Sequence, residues 1–313
     1  MLRIGSQDKA TFRDVVGRGL TFTPCVWDCY SAKAAELAGF DAMLLSGASL
    51  GFSLAGVPDI GLHNQEELIW ATDRIADYSR LPLVVDADDG FGDTINAYRT
   101  CRRLAKAGAG AITLEDTPNL RGSGRFGPDM SAATRAGRVD GNVSHPVVSQ
   151  RLWLSKVKAA LEACAGTDCV VIARTEAKLE LGLDEAIERC VKAVELGAEM
   201  TFILALRTIE ECQKVAKALP GWKMFGDVET VNGVPFVRLE DIEPLGFNLV
   251  TMHYLEKGSM FGMLDYGGHV FRDRTTAYAD DHSMGGLTKE EQAEAMERGD
   301  RRWLEAERGW NAI

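Results

Sequence analysis

The segment 81-LPLVVDADDGFGD-93 joins an apolar run to four aspartates and two glycines. Its first half is as uniformly apolar as a strand that is covered on both faces of a parallel sheet. Two carboxylates about 5 Å apart repel each other by roughly 3 kcal/mol at an effective dielectric near 20. The segment therefore predicts a buried parallel strand whose carboxyl end needs a compensating cation or a solvated loop.

The same kind of apolar run occurs eight times along the chain. Helix-like amphipathic segments separate the runs, and several of them end on glycine, the usual helical C-cap. Eight such units predict a closed (β/α)8 barrel, with a doubly wound open sheet as the alternative. No GxGxxG follows an early strand, which disfavours the open sheet. The predicted strands are Thr21–Trp27, Asp41–Ser46, Leu81–Asp88, Ala111–Asp116, Cys169–Thr175, Glu199–Ala205, Trp222–Asp227 and Phe247–His253.

The chain has 313 residues, and its last part differs in character from the rest. We expect a barrel over residues 1–255 and a helical extension over 256–313 that belongs to the same domain. Trp303, Leu304 and Trp310 would be poorly buried on a lone terminal helix. They predict packing against another subunit, and docking onto the same barrel is the alternative.

Composition and charge restrict the partners. The formal charge of −11 argues against nucleic acid, which requires clustered Lys and Arg. No apolar run reaches the roughly 18 to 20 residues of a membrane helix, so no membrane partner is expected. Seven cysteines without a CxxC pair, and an N-terminus without a signal-peptide core, predict a cytoplasmic protein. A small anionic substrate fits if a metal or a few arginines supply positive charge.

Polar residues gather where the predicted strands end, and in a barrel these ends share the catalytic face. Asp86, Asp88 and Glu115 are expected to project toward a common point and to bind a hard divalent cation. Mg²⁺ is the simplest choice, with Mn²⁺ possible, because no His or Cys accompanies the carboxylates. Three alternatives stay open. The aspartates could cap a helix or be solvated, Arg174 could be a structural partner of Glu115 or Glu176, and His253 could be a core histidine.

Four segments, "LLSGASL…GVPDIGL", "VVDADDGFGD", "GAITLEDT" and "VVIARTEA…LDEAIERC", resemble the phosphoenolpyruvate mutase/isocitrate lyase superfamily in order and spacing. The resemblance runs from about residue 21 to residue 253. It implies a (β/α)8 barrel that binds Mg²⁺ and a small 2-oxo or 2-hydroxy acid and works through an enolate-like intermediate. It also implies tetramers built from dimers that exchange a C-terminal helix.

The resemblance assigns roles residue by residue. Asp86 and Asp88 match the metal-site aspartates, and Glu115 matches an acid that is reached through metal-bound water. The Ser46-Gly47 turn matches a carboxylate-binding turn, whose exposed amides, including that of Ala48, would hold a substrate carboxylate without a flexible charge. Asp59 of the "PD" motif matches an active-site aspartate. Arg174 matches a substrate arginine, whose planar fork suits a carboxylate.

The segment after the fourth strand, residues 115–150, discriminates among branches of the superfamily. It has neither the cysteine of the "KRCGH"-like lyase segment nor any lysine, as the phosphonomutases would require. The glutamate of a "PEA" motif after strand six is also absent, because "FILAL" occupies residues 202–206. The long segment itself could be a lid, or a solvated or oligomer-contacting insertion.

Oxaloacetate decarboxylase-like members resemble the chain most, through "EDT" after strand four, the missing cysteine and a histidine after strand eight. A decarboxylase needs no base for a substrate hydroxyl, and His253 could polarise the oxo group or protonate the enolate. The sequence thus predicts Mg²⁺-dependent oxaloacetate decarboxylation. The alternatives are C–C cleavage of a substituted malate or methylisocitrate-like acid, P–C chemistry, or an inactive barrel that serves binding or assembly.

Overall fold

Eight parallel strands close into a barrel in the computed structural model, which describes residues 9–59, 61–118, 146–226, 230–231, 234–278, 282, 288–297 and 300–312. Each strand pairs with its neighbour in the chain, and the last pairs with the first. The (β/α)8 prediction is therefore confirmed, and the open sheet is wrong. The barrel strands are β1 (Thr21–Val26), β2 (Met43–Leu45), β3 (Leu83–Asp86), β4 (Ala111–Leu114), β5 (Val170–Thr175), β6 (Met200–Ile203), β7 (Trp222–Phe225) and β10 (Phe247–Met252).

Most strands are shorter than their apolar runs suggest, so several site residues lie in loops. Asp88 follows β3 with φ of +47°, a conformation that no strand residue adopts. Glu115 and His253 likewise follow β4 and β10. A small hairpin of β8 (Thr230–Val231) and β9 (Val234–Pro235) comes after β7.

Helices cover the barrel, and side-chain caps fix where several of them begin. Asp93 is the N-cap of the helix that follows it and accepts a hydrogen bond of 2.7 Å from Thr94 N. Asn64 and Glu67 form a capping box. The helices are α1 (Phe12–Val16), α2 (Cys29–Leu37), α3 (Gly47–Ala55), α4 (Gln65–Tyr78), α5 (Thr94–Ala107), α6 (Gln150–Cys164), α7 (Ala177–Leu181), α8 (Leu183–Glu195), α9 (Ile209–Ala218), α10 (Leu239–Ile242), α11 (Leu255–Asp273), α12 (Lys289–Met296) and α13 (Asp300–Asn311).

One buried apolar cluster draws members from all eight strands and must therefore fill the barrel interior. Phe12 and Val16 of α1 join this cluster and close the amino-terminal end of the barrel. Side chains alternate between the two faces of a strand, so positions two or four residues beyond an interior residue continue the inward face. The strand residues of the cluster are Cys25, Leu44, Val84, Ala111, Val170, Ile172, Met200, Phe202, Met224 and Leu249.

The C-terminal helices leave large apolar side chains in solvent. On α11, Phe261 is 68% and Phe271 is 72% exposed, and Trp303 of α13 is 60% exposed. These values fit the expected packing against another subunit, which stays a prediction. In the part of the chain that the structure describes, no helix combines the length and apolarity needed to cross a bilayer. Residues 119–145, the greater part of the long segment after β4, lie outside the described residues.

Candidate active site

A single guanidinium meets three carboxylates at the carboxyl end of the barrel. Arg174 Nη1 lies 3.1 Å from Asp86 Oδ2, and Arg174 Nη2 lies 2.9 Å from Glu115 Oε2 and 2.7 Å from Glu176 Oε1. Asp86, Glu115 and Arg174 follow Val84, Ala111 and Ile172 at even spacing, so strand alternation turns them inward. The Arg174 guanidinium also stacks over Phe202 at 5.5 Å. The structure thus brings together three of the residues that the sequence assigns to the site.

Three carboxyl groups share the one guanidinium of Arg174. Burial alone would lower the pKa of Arg174, but the charges of Glu115, Asp86 and Glu176 outweigh it and hold that pKa well above its ordinary value. Arg174 therefore stays a cation. The sequence left open that Arg174 is a structural partner of Glu115 or Glu176. The structure agrees with that alternative in part, because Arg174 forms ion pairs with both residues. Its role toward a substrate carboxylate stays a prediction.

Hydrogen bonds from threonines hold two of these carboxylates. Thr113 Oγ1, on β4, donates to Asp86 Oδ1 at 2.9 Å, and Thr117 Oγ1 donates to Glu115 Oε1. Donors that are themselves neutral orient a carboxylate without cancelling its charge. The arrangement fixes the acidic side chains and keeps their negative potential.

Asp88 has a different partner from Asp86 and Glu115. His63 Nε2 lies 3.2 Å from Asp88 Oδ2, and both side chains are almost fully buried. Asp88 O accepts a hydrogen bond of 2.9 Å from Glu115 N, which ties the loop after β3 to the end of β4. The three carboxylates that were predicted to meet at one point thus have two different partners. Asp86 and Glu115 contact Arg174, and Asp88 contacts His63.

The loop that carries Asp88 has an unusual backbone and a buried brace. Asp88 and Phe91 both have positive φ, of +47° and +62°, at positions that are not glycine. Lys156 of α6 reaches into this loop, where Nζ donates to Asp89 O at 3.0 Å and lies 3.1 Å from Asp89 Oδ2. Gly90 also has positive φ, and a Cβ there would lie 2.8 Å from the Cβ of Ala97. Packing and the lysine together fix the loop.

The Ser46-Gly47 turn is the start of helix α3. Ser46 is the N-cap and accepts a hydrogen bond of 3.3 Å from Ser49 N. Gly47 and Ala48 occupy the first turn, whose N–H groups have no acceptor within a helix and carry the positive end of its dipole. A Cβ at Gly47 would lie 3.0 Å from His63 Cε1 and 3.4 Å from Asp88 Oδ1, so this turn adjoins the Asp88 side of the site.

The two remaining sequence-assigned residues lie at the margin of the site. His253 follows β10 directly and is exposed. It lies two residues beyond Thr251 and four beyond the interior residue Leu249, so it continues the inward face of the strand. The alternative of a core histidine is therefore wrong. Asp59 is half-buried in the turn after α3. The catalytic roles of His253 and Asp59 stay predictions.

A second buried ion-pair cluster lies on the outer side of the same strand ends. Asp116 accepts hydrogen bonds from Thr175 Oγ1, from Glu176 N at 2.8 Å and from Arg189 Nη1 at 2.9 Å. Burial raises the pKa of Asp116 above its ordinary value, although these hydrogen bonds and the Arg189 charge oppose the rise. Arg189 also donates to Val148 O at 2.9 Å and so anchors the chain where it enters α6.

The inward cluster suits Mg²⁺ held by few protein ligands. Among the described residues, no group of three or more His, Cys, Asp or Glu is arranged to hold a metal ion, which argues against an all-protein cage. Mg²⁺ commonly binds through one or two carboxylates, with waters and substrate completing the octahedron. The carboxylate oxygens of Asp86 and Asp88 match such a site.

Sequence reasoning missed His63, Arg189 and Lys156 as partners of the acidic residues. His63 stands in "GLHNQ", where nothing in the spacing separates it from an ordinary loop residue. Arg189 and Lys156 lie on helices and look like solvated charges until the fold buries them. The sequence held one sign of these partners. The four aspartates of "DADDGFGD" have no basic residue beside them, which indicates that other segments must supply the cations.

Comparisons with known proteins place the chain in a family and agree with the fold. A family model described as phosphoenolpyruvate phosphomutase matches residues 12–255. The 2,3-dimethylmalate lyase of Eubacterium barkeri is 30% identical over 230 residues, which are 74% of either sequence. Oxaloacetate acetylhydrolase in complex with oxalate superposes with a TM-score of 0.77 at 24% identity, over 96% of this chain and 97% of that one. Phosphonopyruvate hydrolase in complex with oxalate and Mg²⁺ gives a TM-score of 0.75 at 25% identity, over 98% of each chain.

Proposed function

The chain belongs to the phosphoenolpyruvate phosphomutase family of the PEP mutase/isocitrate lyase superfamily, and from this premise we propose that it is a Mg²⁺-dependent lyase of small 2-oxo acids. The best single candidate is the decarboxylation of oxaloacetate. The observation that carries the proposal is the cluster of Asp86, Glu115 and Glu176 around one guanidinium at the carboxyl end of the barrel.

Asp86 and Asp88 are the residues proposed to hold the metal ion, with Glu115 acting through water. When bound, Mg²⁺ would act as a Lewis acid toward the 2-oxo group and its neighbouring carboxylate. Mn²⁺ has the same preference for oxygen ligands and is expected to substitute. The threonine hydrogen bonds to Asp86 and Glu115 support this assignment, because they orient the carboxylates and leave their charge in place.

The remaining residues are proposed to bind and orient the substrate. The amides of Gly47 and Ala48, at the positive end of α3, suit a substrate carboxylate. Arg174 suits a carboxylate too, and its buried charge lies beside the acidic cluster. Asp59 follows the same α3 and is proposed to complete this side of the site. Burial of the cluster strengthens each of these charge interactions relative to bulk water.

His253 is proposed to supply the proton that the reaction consumes. Breaking the C3–C4 bond of oxaloacetate releases CO₂ and leaves the electron pair in the enolate of pyruvate. That enolate must be stabilised at its oxygen and then take up a proton at C3. His253 suits this role because it directly follows β10, at a position that continues the inward face of the strand. No base for a substrate hydroxyl is needed, in accord with the absence of cysteine from residues 115–150.

A second candidate is C–C cleavage of a substituted malate. The 30% identity to 2,3-dimethylmalate lyase favours it. That reaction would require a base for the 2-hydroxyl group and an acid for the departing carbanion. P–C chemistry is a third candidate, and the family model and the likeness to phosphonopyruvate hydrolase favour it.

The molecule is further proposed to form a homo-oligomer through the C-terminal helices. Support comes from α11 and α13, which expose Phe261, Phe271 and Trp303 in the single chain. A dimer of helix-swapped dimers would cover these side chains. Sedimentation equilibrium of the full chain tests the proposal, since a monomer at micromolar concentration would contradict it.

A substrate panel tests the reaction. Full-length protein is incubated with oxaloacetate, 2,3-dimethylmalate or phosphonopyruvate, each with Mg²⁺ and with EDTA, and pyruvate is measured. We expect rapid pyruvate formation from oxaloacetate that stops in EDTA. Because free metal ions also promote oxaloacetate decarboxylation, an equal amount of the Asp88→Ala protein serves as the blank. Faster turnover of dimethylmalate would replace the first candidate by the second.

A further inference from the structure

His63 connects three parts of the site. It lies one residue before Asn64, the N-cap of α4, and its side chain is 4% exposed. Its Nε2 is 3.2 Å from Asp88 Oδ2, and its ring packs edge-on against Phe91 with 5.5 Å between the centroids. The ring also lies so close to Gly47 that a Cβ there would come within 3.0 Å of Cε1. One side chain thus contacts the start of α3, the strained loop and a proposed metal ligand.

The contact with Asp88 is the informative one. Asp88 has positive φ at a residue other than glycine, so contacts with its surroundings must hold this backbone conformation. A histidine can donate a hydrogen bond while uncharged, unlike Arg or Lys. Such a donor can orient a carboxylate and still leave its negative charge available to a cation.

We infer that His63 is a positioning residue of the metal centre: its buried ring, with Nε2 3.2 Å from Asp88 Oδ2, packs against Phe91 and Gly47 and holds Asp88 on the side of the substrate turn. The inference rests on the proposed function, because it assigns Asp88 to the metal. Donors behind a ligating carboxylate typically change metal affinity by about 10- to 100-fold when they are removed. His63 does not touch the substrate in this scheme, and it acts through Asp88.

The test measures metal binding, independently of turnover. Mn²⁺ is titrated into the full-length wild-type, His63→Leu and His63→Gln proteins, and free Mn²⁺ is followed by electron paramagnetic resonance. His63→Leu removes the donor, and we expect a Kd about 10- to 100-fold higher. His63→Gln keeps an N–H donor and should bind Mn²⁺ within about threefold of the wild type. Asn64→Ala is the matched control, since it removes the neighbouring cap without touching Asp88.

Each outcome decides between explanations. An unchanged Mn²⁺ affinity in folded His63→Leu would overturn the positioning role and reduce His63 to packing. If His63→Leu does not fold, His63→Gln decides, and a tenfold loss of affinity there would overturn the role of the polar contact with Asp88. A similar loss in Asn64→Ala would show that any disturbance of this turn weakens the site, which also overturns the inference. A folded wild type that binds no Mn²⁺ would instead refute the metal centre of the proposed function.

Discussion

Glu115 and Asp116 are neighbours in the chain, yet each joins a different buried arginine. Glu115 turns into the barrel toward Arg174, whereas Asp116 turns outward toward Arg189. Both carboxylates are fully buried. Strand alternation alone separates them, because successive side chains leave a strand on opposite faces.

The two clusters differ in how many carboxyl groups share one guanidinium. Arg189 pairs with Asp116 and Glu185, whereas Arg174 pairs with Asp86, Glu115 and Glu176. Asp116 also receives a hydroxyl and a backbone N–H within the protein. We propose that the outer cluster stabilises the fold and that the inner cluster serves the metal ion and the substrate.

The largest effect is expected on the inner side, at Asp88. Asp88→Ala removes a proposed metal ligand, and we expect Mg²⁺-dependent turnover to fall by about 1,000-fold or more, since Lewis-acid stabilisation contributes several kcal/mol. Asp93→Ala, at the cap of α5, is the matched control and should lower only stability, by about 1 kcal/mol. Steady-state rates with and without EDTA measure the effect. Full activity of Asp88→Ala in EDTA would remove the metal from the account.

Substitutions in the outer cluster, around Arg189 and Asp116, should lower the free energy of unfolding rather than the activity. Arg189→Met leaves Asp116 buried without its guanidinium, and removing one partner of a buried pair typically costs about 3 to 5 kcal/mol. Urea denaturation followed by circular dichroism gives the free energy of unfolding, and kcat/KM of the folded fraction should change little. A stable Arg189→Met protein with lost activity would reverse the assignment of the two clusters.

His253 extends the comparison to the opposite part of the rim. His253→Ala should lower oxaloacetate decarboxylation by about 10- to 1,000-fold, the usual range for one donor or general acid. His282→Ala, an exposed position on the C-terminal extension, is the control. Modification of the cysteines should do little, because six of the seven are buried and Cys29 is partly buried. A thiol-sensitive enzyme that is indifferent to His253 would point to a hydroxy-acid lyase with a relocated acid.

A smaller effect is expected when Arg174 is replaced by lysine, which keeps the positive charge and lacks the planar guanidinium. Arg174→Lys should lower kcat/KM by roughly 10-fold or somewhat more, on the scale of about 1.5 to 3 kcal/mol for a charged hydrogen bond. The same change at the outer site, Arg189→Lys, should leave kcat/KM near the wild-type value. Unchanged kinetics in Arg174→Lys would make Arg174 a structural residue only.

The sequence was sufficient for the barrel and for part of the site. Eight apolar runs separated by amphipathic helices predict the closed sheet, and their ends predict that Asp86, Glu115 and Arg174 meet, because parallel strands share one rim. The partners of those residues could not be predicted. His63 precedes a helix cap and Arg189 lies within a helix, and only tertiary packing brings them to Asp88 and Asp116. Predicted strand ends also lay one or two residues too far out in several cases, because the sequence pattern does not show where strand pairing stops.

The paired isosteric changes Glu115→Gln and Asp116→Asn test the central claim most directly. For both variants, the Mg²⁺ concentration that gives half-maximal oxaloacetate turnover and the free energy of unfolding are measured side by side. The account predicts that Glu115→Gln loses activity and needs more Mg²⁺ while its stability is kept, because one of three carboxylates competing for Arg174 is removed. It predicts that Asp116→Asn loses about 1 to 3 kcal/mol of stability and keeps its Mg²⁺ dependence. Equal losses of activity in the two variants, or a stable Asp116→Asn beside an active Glu115→Gln, would contradict it.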